Sequence, residues 1–161
     1  MATEWLGFDS SGMYAWAVWI IPFVAALIMP AVGKGSKNIS GYVAVGFSLM
    51  SALSAASLLP AALEAHEIHD QVSWISSIGI KAGVLADPLA IIMANVVGWI
   101  SFLIMVYSTG YMKGDKDIVR FWFWMLFFIG SMQLIVLSDN LLQLFFGWEG
   151  VGLASYALIG F

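Results

Sequence analysis

Four long stretches of this sequence, residues 13–33, 39–63, 88–112 and 121–137, contain no Asp, Glu, Lys or Arg, and a fifth, 140–161, contains one. A helix rises about 1.5 Å per residue, so ~20 apolar residues cross a ~30 Å hydrocarbon layer. Each stretch is close to that length. A water-soluble fold is excluded by composition: charged residues make up only 10% of the chain against 61% hydrophobic, too few to clothe such a core. The expected fold is all-α, a polytopic transmembrane helix bundle of about five spans forming one domain over residues 1–161.

Local signals refine the spans. Trp16 and Trp19 lie near the start of the first, where amphipathic rings favour the membrane interface. Pro22 is tolerated inside a membrane helix, whereas Pro30 with Gly33 is read as the exit. The second span is dense in Gly, Ala and Ser, which suits close helix packing. Asp87 is placed to cap the third span, with Pro88 in its first turn. Asp139 or Asn140 caps the fifth. In the second loop, residues 72–85 turn β-branched and partly alternating, with Ser76, Ser77, Gly79 and Gly83 between them, so a short extramembrane hairpin is expected.

Cations set the expected orientation. Lys34, Lys37, Lys113, Lys116 and Arg120 share one side if the spans alternate, and only Lys81 falls on the other, which puts the N-terminus outside. The opening residues carry Glu4 and Asp9 but no Lys or Arg, unlike a secretory signal, so the first span is expected to be retained.

Several chemistries are excluded within this chain. There is no cysteine, hence no disulfide, thiolate nucleophile or Cys-held cluster. The net charge of -4 and the lack of a basic run argue against a nucleic-acid surface. His66 and His69, three residues apart, have no evident third ligand, so they are read as part of a solvated loop and no metal site is assigned.

The fifth stretch carries the chemistry. Glu149 is its one ionisable carboxyl and falls near mid-membrane, where a charge costs a few kcal/mol and is a functional site by default. Gly147, Gly150, Gly152, Ala154 and Ser155 surround it, leaving room for a neighbouring helix or for water. Phe145, Gly152, Leu153 and Tyr156 share its face. Glu149 is therefore the candidate proton-handling residue. Tyr156 is a candidate member of a water chain, and Trp148 a supporting neighbour, with packing as the alternative for both rings.

The run GWEGVGLASYALIGF, residues 147–161, resembles the fifth-helix signature of the L subunit of respiratory complex I, the antiporter-like part of the proton-pumping NADH:quinone oxidoreductase. ADPLA, YSTGYMKGD, IVRFW and VLSDNLLQLFFGWEG extend the resemblance over residues 74–161. It implies that Glu149 matches the family's proton-exchanging glutamate, coupled there to a lysine on a later, broken helix that this sequence does not contain. A full L subunit is about fourfold longer, so the chain is expected to be the beginning of one. Further implications are other membrane-arm subunits and membrane lipid as partners, and no cofactor in this chain. Flavin, iron–sulfur clusters and quinone belong to partner subunits. The electron donor is NAD(P)H, a reduced deazaflavin or ferredoxin, and the membrane a prokaryotic cytoplasmic one or an organellar inner one. Two other readings stand beside this one: a multisubunit sodium/proton antiporter subunit, whose large chain shares the glutamate without, as a rule, the glycine pattern, and a structural or assembly protein in which Glu149 only bonds a neighbouring helix.

Overall fold

The computed structural model describes residues 10–161; Glu4 and Asp9 lie outside the described residues. Helices α1 (Ser10–Gly35), α2 (Lys37–Ala56), α4 (Pro88–Tyr111), α5 (Ile118–Leu137) and α6 (Leu141–Ile159) dominate it, with a short α3 (Leu59–Leu63) and a two-stranded sheet, β1 (Ile68–Ile75) and β2 (Ile80–Ala86). Five segments are long and apolar enough to cross a membrane: Gly12–Gly35, Ile39–Leu63, Pro88–Tyr111, Ile118–Leu137 and Leu141–Ile159. The protein is an integral membrane bundle.

Prolines act differently from the sequence expectation at two places. Pro30 does not end α1, which runs on to Gly35; both Pro22 and Pro30 are absorbed, as membrane helices allow when neighbouring side chains and backbone adjust. The second span is broken instead. Its regular part, α2, stops at Ala56, and α3 restarts with Pro60 in its first turn, since a proline ring clashes with the carbonyl four residues earlier. At α4 the expectation holds, with Asp87 Oδ1 accepting from the Ala90 N–H at 2.6 Å.

Helix α5 is the hub. It packs against α1, α6, α4 and α2, and buries Trp122, Leu126, Ile129, Gln133 and Leu137. The small-residue run of α2 is a packing face. Ser51 Oγ donates to the Val18 carbonyl of α1 at 2.6 Å, and a Cβ on Gly98 of α4 would stand 3.2 Å from the Ala52 Cα. Two apolar clusters fill the ends of the bundle. One joins Val18, Leu58, Ile91 and Leu137 to the hairpin through Ile68, Val84 and Ala86; the other gathers Met29, Ala44, Met105, Trp122 and Leu126 at the opposite end.

The expected hairpin is present and longer than its sequence signal. β1 and β2 pair antiparallel from Ile68↔Ala86 to Ile75↔Ile80, with a bulge between Ser73 and Ile75. The turn closes on Gly79, whose φ of 71° is left-handed and suits glycine. The bulge frees Trp74, whose ring stands 5.5 Å from that of Phe146 on α6.

Candidate functional site

Helix α6 starts beside the hairpin, held there by polar side chains. Asn140 Oδ1 caps it by accepting from the Gln143 N–H at 2.9 Å. Gln143 in turn reaches the edge of β2: its Oε1 accepts from the Gly83 N–H at 2.9 Å, and its Nε2 donates to the Gly83 carbonyl at 2.8 Å. One carboxamide thus does what a third strand would do for that edge, and Ser138 bridges Val84 next to it. The Asp139 carboxylate, 3% exposed, accepts from Gln71 Nε2 at 2.7 Å and from Asn140 Nδ2 at 2.6 Å, with His69 Nε2 at 3.5 Å. A Cβ at Gly83 would collide with Asp139 Oδ2. His69 is therefore a member of a clasp on the α5–α6 turn rather than a purely solvated loop residue, and among the described residues no three of His, Asp or Glu converge as a metal site.

From that anchor α6 descends along α5. Gln143, Gly147, Gly150, Ala154 and Ala157 are buried, at intervals of four and three residues that keep one face toward one partner. A Cβ on Gly147 would lie 2.8 Å from Ile135 Cγ1 and 3.0 Å from the Ser131 carbonyl, and one on Gly150 would strike Ser131 Oγ. Two of the glycines beside Glu149 therefore serve the α5 contact, on the side of the helix away from the acid. Of the two expected uses of the glycines, Gly147 and Gly150 serve the first, the approach of a neighbouring helix.

Glu149 lies at the middle of α6 and faces outward, exposed in this chain. Phe145, Leu153 and Tyr156 stand around it, 53%, 51% and 77% exposed. Gly152, one turn on, would place a Cβ in open space, so the room beside the acid comes from this glycine alone. Trp148 is next to it, 65% exposed. Among the described residues Glu149 has no hydrogen bond or ion pair. Lys34 and Arg120 do lie inside helices, in the last turn of α1 and the first of α5, but on helices other than α6. The three predicted residues thus share one outward surface, centred on a mid-span carboxyl.

Polar residues that sequence reading passed over lie inside the bundle. Asn95 Nδ2 donates to the Ala55 and Ile91 carbonyls at 2.8 and 2.9 Å, and Gln133 Nε2 to the Ala94 carbonyl at 3.0 Å. These amides stitch α2, α4 and α5 together within an apolar interior, where such bonds are worth about 0.6 to 2 kcal/mol each. Their only sequence signal is an uncharged amide in an apolar run.

Residues 73–122 match the family model described as NADH-Ubiquinone oxidoreductase (complex I), chain 5 N-terminus. The NADH-quinone oxidoreductase subunit L of Rickettsia bellii is 41% identical over 88% of this chain and 23% of its own length. Subunit L of Escherichia coli is 35% identical over 88% of this chain and 24% of its own length. In structure, a chain of the Mrp complex from Dietzia sp. superposes with a TM-score of 0.75 at 24% identity, over 91% of this chain and 16% of that one, a likeness of fold. The chain thus spans about a quarter of the length of these curated relatives. Residues 73–122 thus match the chain 5 N-terminus model of the NADH-ubiquinone oxidoreductases, and most of the chain is similar to about a quarter of the length of NADH-quinone oxidoreductase subunit L.

Proposed function

We propose that this chain is the N-terminal transmembrane domain, residues 1–161, of a proton-translocating membrane-arm subunit in a complex I-like quinone oxidoreductase. Glu149 is its titrating group. The observation that carries the reading is a single carboxyl at mid-span on the outward face of α6, with Gly152 leaving space beside it and Tyr156 on the same face. With no partner among the described residues, an acid placed so needs one, or water, from elsewhere.

The mechanism is electrostatic. A cation brought near a carboxyl favours the ionised form, and its withdrawal favours the neutral one. A unit charge arriving at ~6 Å is worth about 3 kcal/mol at an effective dielectric near 20, roughly a hundredfold in proton affinity. A cation that moves with the redox cycle therefore loads and empties Glu149. Tyr156 supplies a hydroxyl to the water chain that delivers the proton, and Trp148 walls it. The cation, further proton-conducting helices and the adjoining subunits come from the rest of the assembly, as do flavin, iron–sulfur clusters and the quinone site. The N-terminus and hairpin face outward and the basic end faces the cytoplasm of a prokaryotic cell, or the corresponding compartment of an organelle.

The test is redox-driven proton transport in vesicles carrying Glu149→Gln in the complete subunit, with assembly and electron-transfer rate measured in parallel. The expected result is an assembled complex whose proton transport falls at least tenfold, alone or together with turnover. Unchanged assembly, turnover and transport would reduce Glu149 to a packing residue. Sodium/proton exchange driven by an imposed pH gradient without any electron donor would instead establish the antiporter reading.

A further inference from the structure

At the end of the bundle away from the hairpin, α1 and α5 enclose a cleft of about 530 Å³. Its rim carries Lys34 from the last turn of α1, Lys116 from the α4–α5 loop and Arg120 from the first turn of α5, against one acid, Asp117. All four are exposed. Its wall is apolar, formed by Pro30, Val119 and Phe123, and runs from the charged rim toward the membrane-spanning part of both helices. Gly33 lets the helices meet there: a Cβ on it would lie 2.5 Å from both Val119 methyl groups.

We propose that this cleft binds the headgroup of an anionic phospholipid, with an acyl chain along Val119 and Phe123. Three features favour that ligand. The cations ring one opening at the depth where apolar spans give way to charged loop, which is the depth of lipid phosphates. Arg120 offers a planar fork suited to two phosphate oxygens, and the lysines add point charges. Helix α5 also begins without a side-chain cap, because Asp117 makes no such bond, so its first N–H groups and dipole favour an anion at that end. A soluble phosphate would use the rim alone; a lipid uses both rim and apolar wall.

The test uses the complete subunit in its assembled complex, reconstituted in phosphatidylcholine vesicles with a small fraction of photo-crosslinking phosphatidylglycerol. Labelling is expected at residues 30–34 and 116–123. Unlabelled phosphatidylglycerol should compete it away, while added phosphatidylcholine should not. Each cation neutralised, K34Q, K116Q or R120Q, should lower labelling roughly fivefold, with K81Q at the hairpin end as the unaffected control. K34R should keep what K34Q loses, which separates loss of charge from loss of fold. Equal labelling by a phosphatidylcholine probe, insensitivity to all three neutralisations, or equal loss in K34R and K34Q would overturn the proposal. So would displacement by inorganic phosphate at millimolar concentration, which marks a soluble anion site, or a crosslink that places an acidic segment of a neighbouring subunit in the cleft.

Discussion

Along α6 two rows of residues repeat at intervals of four and three, and they differ in what they meet. Gln143, Gly147, Gly150, Ala154 and Ala157 form the inner row and are buried against α5 and the hairpin. Phe145, Glu149, Gly152, Tyr156 and Ile159 form the outer row and are exposed. After Gln143 the inner row is only Gly and Ala, so that two helix backbones come close and dispersion contacts hold them. The outer row carries two rings, a carboxyl, a glycine and an isoleucine, which suits a less intimate interface that admits water or a charged partner. One helix thus presents a buried seam and an exposed, carboxyl-bearing seam back to back. Moving the carboxyl to another face would require moving the glycines with it.

The sharpest way to break this comparison is to enlarge a glycine on each side. Gly150→Leu drives an isobutyl group into Ser131, where even a Cβ has no room. It should separate α6 from α5 and cost about 3 kcal/mol or more, read as a lower unfolding temperature and loss of the subunit from the assembled complex. A Cβ at exposed Gly152 meets nothing within 4 Å among the described residues, and Gly152→Leu should leave the stability of the bundle within about 0.5 kcal/mol. Its effect should appear only as impaired proton transport, because the added side chain occupies the space beside Glu149. Equal destabilisation by the two substitutions would show that the seams are not distinct.

A smaller effect is expected where the inner row meets the sheet edge. Gln143→Leu removes both bonds to Gly83 and leaves a buried N–H and carbonyl unpaired, at a cost of about 1–3 kcal/mol each before water enters. Hydrogen exchange at Gly83 and Val84 should accelerate strongly, while the mid-helix amides of α5 stay protected. Protection at Gly83 unchanged from the parent chain would mean that the clasp contributes nothing to holding the hairpin.

These two seams also mark how far the sequence could be read. The spans were legible because an uncharged run of ~20 residues has few other fates. The Asp87 cap and the hairpin were legible because they rest on neighbours in sequence. That Phe145, Gly152 and Tyr156 share the face of Glu149 is legible, since residues three, four and seven apart lie together on a helix whatever the fold. What stayed hidden depends on pairs distant in the chain. Periodicity alone does not say which of two rows is filled, so the sequence leaves open which glycines admit a helix and which admit water, and it does not point to Ser131 or Ile135. The same limit hid the clasp. Gln71, Asp139 and Gln143 are ordinary polar residues until the fold brings the second loop onto the α5–α6 turn. Pro60 breaking the second span while Pro30 leaves the first intact is of the same kind, because neighbouring helices decide which lost backbone bond is compensated.

The smallest expected effect, and the finest probe of the outer row, is Tyr156→Phe. The ring is 77% exposed, and removing its hydroxyl leaves no unpaired group inside this chain, so folding stability should change by less than about 0.5 kcal/mol. If the hydroxyl is a link in a water chain to Glu149, a bridging water loses one partner and proton delivery slows, while the ring still fills its space. Proton transport per turnover should then fall about two- to threefold with assembly intact, on the scale of a single neutral hydrogen bond. Tyr156→Leu distinguishes the two roles of the side chain. Should it impair assembly while Tyr156→Phe is silent, the ring is a packing element against whatever covers α6, and the proton path approaches Glu149 from the side of Gly152 without Tyr156.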